Sequence, residues 1–192
     1  MPVGSTPAAA IDAGIGLVPE DRASDGLALD LTNLANLVST TLPTRMGFYR
    51  GGAGRATAER VATQTGLASE ALGMRSGALS GGNQQKVVIC KWLAIEPRVL
   101  LCDEPTRGID VGARAEIYRL LRELADAGMA ILLSSSELPE ILGMADRILV
   151  LREGRLVAEL PAGSSEEDVM RAAAMGSPEQ ALAFDAGADL GG

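Results

Sequence analysis

The chain has 192 residues, 47% hydrophobic and only 3% aromatic, with 17 Lys and Arg against 25 Asp and Glu and a formal net charge of -8. That length fits one domain with a real core, and the apolar share excludes a disordered or fibrous chain. The acidic balance argues against a nucleic-acid groove, which shows as a basic face, and the absence of histidine excludes every His-based catalytic arrangement within the chain.

Cys90 and Cys102 each sit inside an apolar run and read as small buried hydrophobes of a reducing compartment. Two Cys and no His supply too few soft ligands for a structural metal. No apolar run approaches the roughly 20 residues that cross a bilayer, and the N-terminus, MPVGSTPAAAIDAG, has neither a basic start nor an apolar segment typical of a signal peptide. The chain therefore reads as soluble, reaching a membrane only through a protein partner.

Residues 1–13 are small and weakly patterned, and read as a loose lead-in. Gly14 to Val18 is a short apolar run stopped by Pro19, which predicts a strand, with Glu20-Asp21-Arg22 at its end and Asp25-Gly26 as a turn. Leu31, Leu34, Leu37 and Val38 predict a helix over 29–42, ended by Pro43. Residues 43–55 read as a loop. Its Gly51-Gly52-Ala53-Gly54-Arg55-Ala56-Thr57 imitates a phosphate-binding loop but lacks a preceding apolar strand and a Lys before Ser or Thr.

Ala58, Val61 and Ala62 predict a helix over 56–65, ended by Gly66, with short helix or loop up to Ala78. Ser80 reads as the cap of a helix whose stripe is Val88, Ile89, Trp92 and Leu93. Val99 to Cys102 is a continuous apolar run of the buried, parallel-strand kind. Val111 to Ala127 is the clearest helix, with Ile117, Leu120, Leu121 and Leu124 on one face and Gly128 after it. Met129 to Leu133 predicts another buried strand, and Leu138 to Met144 a short helix. Ile148 to Leu151 and Leu156 to Leu160 predict a strand pair with a tight turn. Ser164-Ser165-Glu166-Glu167 opens a last helix through Val169, Met170 and Ala173, and the composition from Ser177 onward predicts a disordered tail. Strands alternating with helices indicate an α/β fold with a parallel sheet, joined to a helical stretch in the first half.

The chemistry concentrates between Leu79 and Asp110. In Leu79-Ser80-Gly81-Gly82 the glycines let the backbone approach a ligand, and the helix behind them presents free N–H groups and a positive dipole end. This suits a phosphate; a serine-capped helix after a glycine turn is the alternative. Asp103 and Glu104 follow a buried strand at its C-terminal end, where open α/β sheets place ligands. An Asp there can hold Mg2+, usually through water, and the adjacent Glu can polarise an attacking water; solvated loop acids are the alternative. Pro105 turns the chain, and Asp110 stands where a helix N-cap would.

LSGGNQQK (Leu79 to Lys86) followed by RVLLCDEPT (Arg98 to Thr106) resembles the signature and Walker B motifs of the ATP-binding-cassette (ABC) family. PTRGIDVGA (Pro105 to Ala113) is similar to the C-terminal halves of tandem ATPase subunits of ribose-, galactose- and xylose-type importers, and VPEDRASDGL, SSELPEILGMADRILVL and REGRL fit the same half. The resemblance covers roughly residues 12–175. It implies a P-loop-NTPase-like α/β domain over 1–176, with a helical subdomain at 27–80, an α/β core at 81–160 and a tail at 177–192.

By that resemblance Leu79, Ser80, Gly81, Gly82, Asn83 and Gln84 would form the signature that binds ATP held on an opposing domain, with Ser80, Gly81 and Gly82 contacting its γ-phosphate. Asp103 would be the Walker B acid near Mg2+, Glu104 the general base, and Asp110 part of the D-loop. Glu20 takes the Q-loop position, with a charge in place of the family's amide. Ser136 takes the switch-histidine position, where a hydroxyl cannot relay a proton as imidazole does. No Walker A sequence occurs in the chain, so a truncated cassette is expected, inactive alone, that serves a partner P-loop in trans. The implied cofactors are ATP and Mg2+. The implied partners are an N-terminal ATPase half or second ATPase domain, membrane permease subunits and, indirectly, a solute-binding protein, with no nucleic acid. The place implied is the inner face of the cell membrane, on the cytoplasmic side, and the process is monosaccharide uptake. The alternatives are a noncatalytic regulatory fragment and a nucleoside or other small-solute importer. A cassette acting on ribosomes or DNA is disfavoured by the acidic balance and PTRGIDVGA.

Overall fold

The computed structural model describes residues 6–40, 44–45, 48–49 and 51–175, so the tail expected from Ser177 lies outside the described residues. The described residues form two compact units that divide after Ser134.

The first unit begins with helix α1 (Pro7–Asp12) where a loose lead-in was expected. Thr6 caps it by accepting from Ala9 N–H, and Pro7 occupies the first turn, where its missing N–H costs nothing. Strand β1 (Ile15–Val18) follows, then a wide turn over Arg22–Gly26. Helix α2 (Asn33–Val38) is shorter than the predicted 29–42. Asn36 explains the late start: its amide takes Ala28 N–H at 2.8 Å and donates to Ala28 C=O at 2.9 Å, holding the incoming chain out of the helix. Two short strands, β2 (Thr44–Arg45) and β3 (Phe48–Tyr49), form an antiparallel pair where a loop was expected. Helix α3 (Gly51–Thr65) begins within that same stretch, so the run that imitates a phosphate loop forms its first turns.

Gly66, at φ +67°, closes α3, and two 3-10 turns, Ser69–Gly73 and Ser76–Ala78, lead to helix α4 (Gly81–Leu93). Helix α4 is the axis of this unit: Val87, Val88, Ile89, Cys90 and Leu93 are all buried, and it packs against α2, α3, β1 and helix α5 (Val111–Asp126). Strand β4 (Val99–Asp103), α5 and strand β5 (Ala130–Ser134) complete the unit.

The sheet is parallel in the order β1-β4-β5, with Val18 opposite Cys102 and Cys102 opposite Leu133. One face carries Gly16, Val18, Leu100 and Cys102, all buried, and Gly16 lets Trp92 of α4 lie against β1: a Cβ there would meet Trp92 Cβ at 3.2 Å. On the other face Leu17 and Leu132 are 46% and 55% exposed. Both cysteines are buried, and burial pushes their thiols up to about 12.

A buried polar knot fastens the helical stretch. Ser76 Oγ donates to Asn33 Oδ1 at 2.6 Å and accepts from Asn36 Nδ2 at 2.8 Å, while Asn33 Nδ2 reaches Ala71 C=O at 2.6 Å. Each of these polar groups is paired, as burial demands.

The second unit consists of helix α6 (Leu138–Met144), the antiparallel pair β6 (Arg147–Arg152) and β7 (Arg155–Pro161), and helix α7 (Glu166–Met175). Glu153 and Gly154, at φ 51° and 77°, form the two-residue turn whose twist matches a hairpin. Its core joins Ile148, Val150, Ala158 and Val169, with Leu138, Ile141 and Leu142 of α6 packed against it. Met170 is 58% exposed and lies off that core. Ser165 and Asp168 cap α7 reciprocally, with Ser165 Oγ donating to Asp168 Oδ2 at 2.6 Å and accepting from Asp168 N–H at 3.1 Å.

Candidate functional site

The first turn of α4 is the glycine turn. Ser80 stands at the N-cap with extended backbone (φ −62°, ψ 157°), but its hydroxyl makes no capping bond to its own helix. This corrects the expectation that Ser80 caps the helix through its side chain. Ser80 and Asn83 are exposed, Leu79, Gly81 and Gln84 are partly covered, and Gly82 is buried. Gly82 is small for a packing reason: a Cβ there would lie 2.4 Å from Ala113 Cβ on α5.

Asp103 closes β4 opposite Ser134 and is exposed. Glu104 follows in the left-handed region at φ 46°, a costly conformation for a residue with a Cβ, held there as its N–H donates to Ser134 C=O at 2.9 Å. That one residue turns the chain off the sheet. Pro105 and Thr106 are buried behind it. The loop then runs through Arg107 and Gly108 (φ +68°) to Asp110, which caps α5 by accepting from Ala113 N–H at 2.9 Å.

The acidic run after β1 meets this loop. Glu20 forms an ion pair with Arg107, both half-exposed, so the pair contributes only about 0–1 kcal/mol. Arg22 does more. Its Nη1 donates to Arg107 C=O at 2.8 Å, its Nη2 to Gly108 C=O at 3.2 Å and its Nε to Gln84 Oε1 at 3.3 Å. Gln84 in turn donates to Ser76 C=O at 3.1 Å. Asp21 caps the Arg22–Gly26 turn, and the N–H groups of Ser24 and then Ala23 hold its carboxyl below the usual value. Lys91 of α4 reaches Gly26 C=O at 3.0 Å, and its partial burial lowers its pKa.

The structure thus brings together Glu20, Gln84, Gly81, Gly82 and Asp110 around two loops and two helix starts. Asp103 and Glu104 stand at the mouth of the same loop. Ser136 belongs to the second unit and is exposed; its neighbour Ser135 donates to Glu140 Oε2 at 2.7 Å and accepts from Glu137 N–H at 3.0 Å. Arg22 and Arg107 are the residues that motif reading passed over, because the signal lies in the pairing of two loops 85 residues apart.

A parallel sheet with acids at the end of its middle strand and a glycine-opened helix packed on it gives this unit the α/β fold of solved ATP-binding cassettes. A dimeric ATP-binding cassette in a post-hydrolysis state, bound to ADP and Pi, is 26% identical, with a TM-score of 0.64 over 79% of this chain and 64% of that one. A nucleotide-free cassette from an ABC transporter shares the fold at a TM-score of 0.71, with 20% identity over 93% of this chain and 71% of that one.

Residues 5–107 match the ABC transporter family, and the chain belongs to it. The ribose import ATP-binding protein RbsA 1 of Streptomyces avermitilis is 52% identical over 169 residues, 87% of this chain and 32% of its own length. RbsA of Rhodococcus jostii is 48% identical over 174 residues, 90% of this chain and 35% of its own length. The chain therefore spans about a third of the length of the curated relatives it matches.

Proposed function

We propose that the chain is a C-terminal cassette portion of the ATP-hydrolysing subunit of a monosaccharide importer, ribose being the sugar its relatives' names favour. Its contribution is a signature surface offered in trans. The observation that carries this reading is the first turn of α4, with an exposed Ser80 whose hydroxyl is not used by its own helix, ahead of two glycines in a first turn whose N–H groups have no intrahelical acceptor.

In this reading Ser80 donates its hydroxyl, and Gly81 and Gly82 their N–H groups, to a terminal phosphate held on a partner's P-loop. Leu79, Asn83 and Gln84 shape that surface. Asp103 and Glu104 serve the other composite site, Asp103 as a carboxylate for Mg2+ through water and Glu104 as the proton acceptor for an attacking water. The donors at the end of β4 are an exposed Asp103 and the adjacent Glu104, a set that would suit Mg2+ held by one or two carboxylates with water and phosphate. ATP, when bound between the two halves, would supply the phosphoanhydride bond whose hydrolysis powers the transport cycle. Asp110 lies at the D-loop position between halves, Glu20 faces the permease side, and Ser136 occupies the switch position without acting as a proton relay. In this reading residues 27–80 are the helical subdomain, and the α/β core joins β1 to the part of 81–160 that carries β4, α5 and β5.

No helix among the described residues is long and apolar enough to cross a membrane. Attachment to the inner membrane face, and through it to a solute-binding protein, runs through permease subunits. Purified chain should hydrolyse no ATP above background, and adding it to a Walker-A-bearing ATPase half of a monosaccharide importer should stimulate that half. Robust, Glu104-dependent hydrolysis by the chain alone would overturn this reading, and binding without stimulation would make the chain a noncatalytic regulatory fragment instead.

A further inference from the structure

Between the acids of β4 and the start of α5, the loop Pro105–Asp110 carries no regular structure, yet its register decides where Asp110 and the first turn of α5 stand. Within it Arg107 N–H donates to Glu104 C=O at 3.1 Å and Ile109 N–H to Thr106 C=O at 3.4 Å. From α5 Arg114 Nε reaches Ile109 C=O at 3.3 Å, and from another loop Arg22 sends its three guanidinium nitrogens to Arg107 C=O, Gly108 C=O and the Gln84 side chain. Gly81 leaves room for it, since a Cβ there would meet Nη2 at 2.9 Å. The hydrogen bonds then continue through Gln84 Nε2 to Ser76 C=O, in the turn that precedes α4.

Arginine is suited to this position because a planar fork presents donors at three fixed directions, so two successive carbonyls and one amide can be met at once. Lysine places its donors on a single atom. The turn that bears Arg22 is itself held down, by Lys91 at Gly26 C=O and by contact of Gly26 with Val88, where a Cβ would come within 3.0 Å. Arg22 is therefore mounted on α4 and grips the loop that feeds α5.

We propose that Arg22 is a positioning residue that fixes the Pro105–Asp110 loop against the first turn of α4, so that the signature surface and the D-loop keep one register. Its effect on catalysis rests on the trans reading above; its effect on the loop does not.

The test uses the full chain with Arg22→Gln and Arg22→Lys, followed by amide hydrogen exchange. Exchange at Arg107 and Ile109 should quicken about tenfold in both, the scale of losing one hydrogen bond to a charged group, while the β4 amides keep their protection. Should Arg22→Gln fail to fold, Arg22→Lys and Gly81→Ala, which displaces the guanidinium without removing it, give the same readout. Unchanged exchange at both amides overturns the proposal. In the mixture with a Walker-A-bearing half, kcat should fall about tenfold with the KM for ATP unchanged, because the nucleotide is held by the partner. Faster exchange with kcat intact in a mixture that wild type stimulates also overturns it, leaving a purely local structural role. If wild type gives no stimulation, the trans reading fails and exchange alone decides the role of Arg22.

Discussion

Gly82 has no room for a methyl group. Its nearest neighbour would be Ala113 Cβ at 2.4 Å, and both atoms are anchored to helix backbones, so α4 and α5 must separate to admit one. Gly82→Ala should therefore lower stability by about 1–3 kcal/mol, the usual cost of overpacking, seen as a lower Tm. An unchanged Tm would mean that the two helix starts are not in contact. The buried knot at Ser76 makes a second prediction at this scale. Ser76→Ala removes the donor to Asn33 Oδ1 and an acceptor for Asn36, and leaving a buried oxygen unsatisfied costs about 1–3 kcal/mol. Denaturant unfolding of the variant measures it, and Asn36, which keeps Ala28 C=O as an acceptor, should lose less than Asn33.

At the scale of elements, acidic groups hold turns and helix starts. The Asp21 carboxyl is lowered by Ser24 and Ala23 N–H, that of Asp168 by Ser165, and that of Glu116 on α5 by Lys86 of α4, with which it pairs at 2.7 Å. A carboxyl lowered in the folded state binds its proton more readily when unfolded. Its contribution is thus complete above the ordinary carboxylate range and is lost as pH falls through the lowered values. Tm should hold steady from neutral pH to about 5 and drop below about 4, with a shallower drop in Asp21→Asn. An equally steep drop in that variant would remove Asp21 from the account.

The elements that a reader of the sequence finds are those set by periodicity. Strands β1, β4 and β5, helix α5 and the β6–β7 hairpin follow from apolar runs, a 3.6-residue stripe and a Glu-Gly turn. Those missed depend on contacts far away in the chain. Helix α2 starts late because the Asn36 amide claims Ala28, and the Ser80 hydroxyl is not the cap its position suggests. The start of α3 was hidden by glycines, which locally disfavour helix. In the site, the glycine turn and the acid pair announce themselves, whereas Arg22 does not, since nothing near it in the chain hints at carbonyls 85 residues away.

For the whole molecule, the placement of the glycine turn and the acid pair within one short span conceals a division of labour. The α4 turn and the end of β4 lie on the same unit, yet in the proposed assembly they serve different nucleotides: the turn faces a partner's phosphate, and Asp103 and Glu104 face a local site. The chain carries no Walker A sequence, which makes the turn the part whose action can be isolated. The decisive measurement is the ATPase rate of a Walker-A-bearing importer half mixed with this chain carrying Ser80→Ala. Loss of a phosphate-facing donor should cut the stimulation by about a hundredfold, the scale seen for single donors at developing charge, while the variant still binds the half. Full stimulation by Ser80→Ala, with loss instead in Glu104→Gln, would contradict the account.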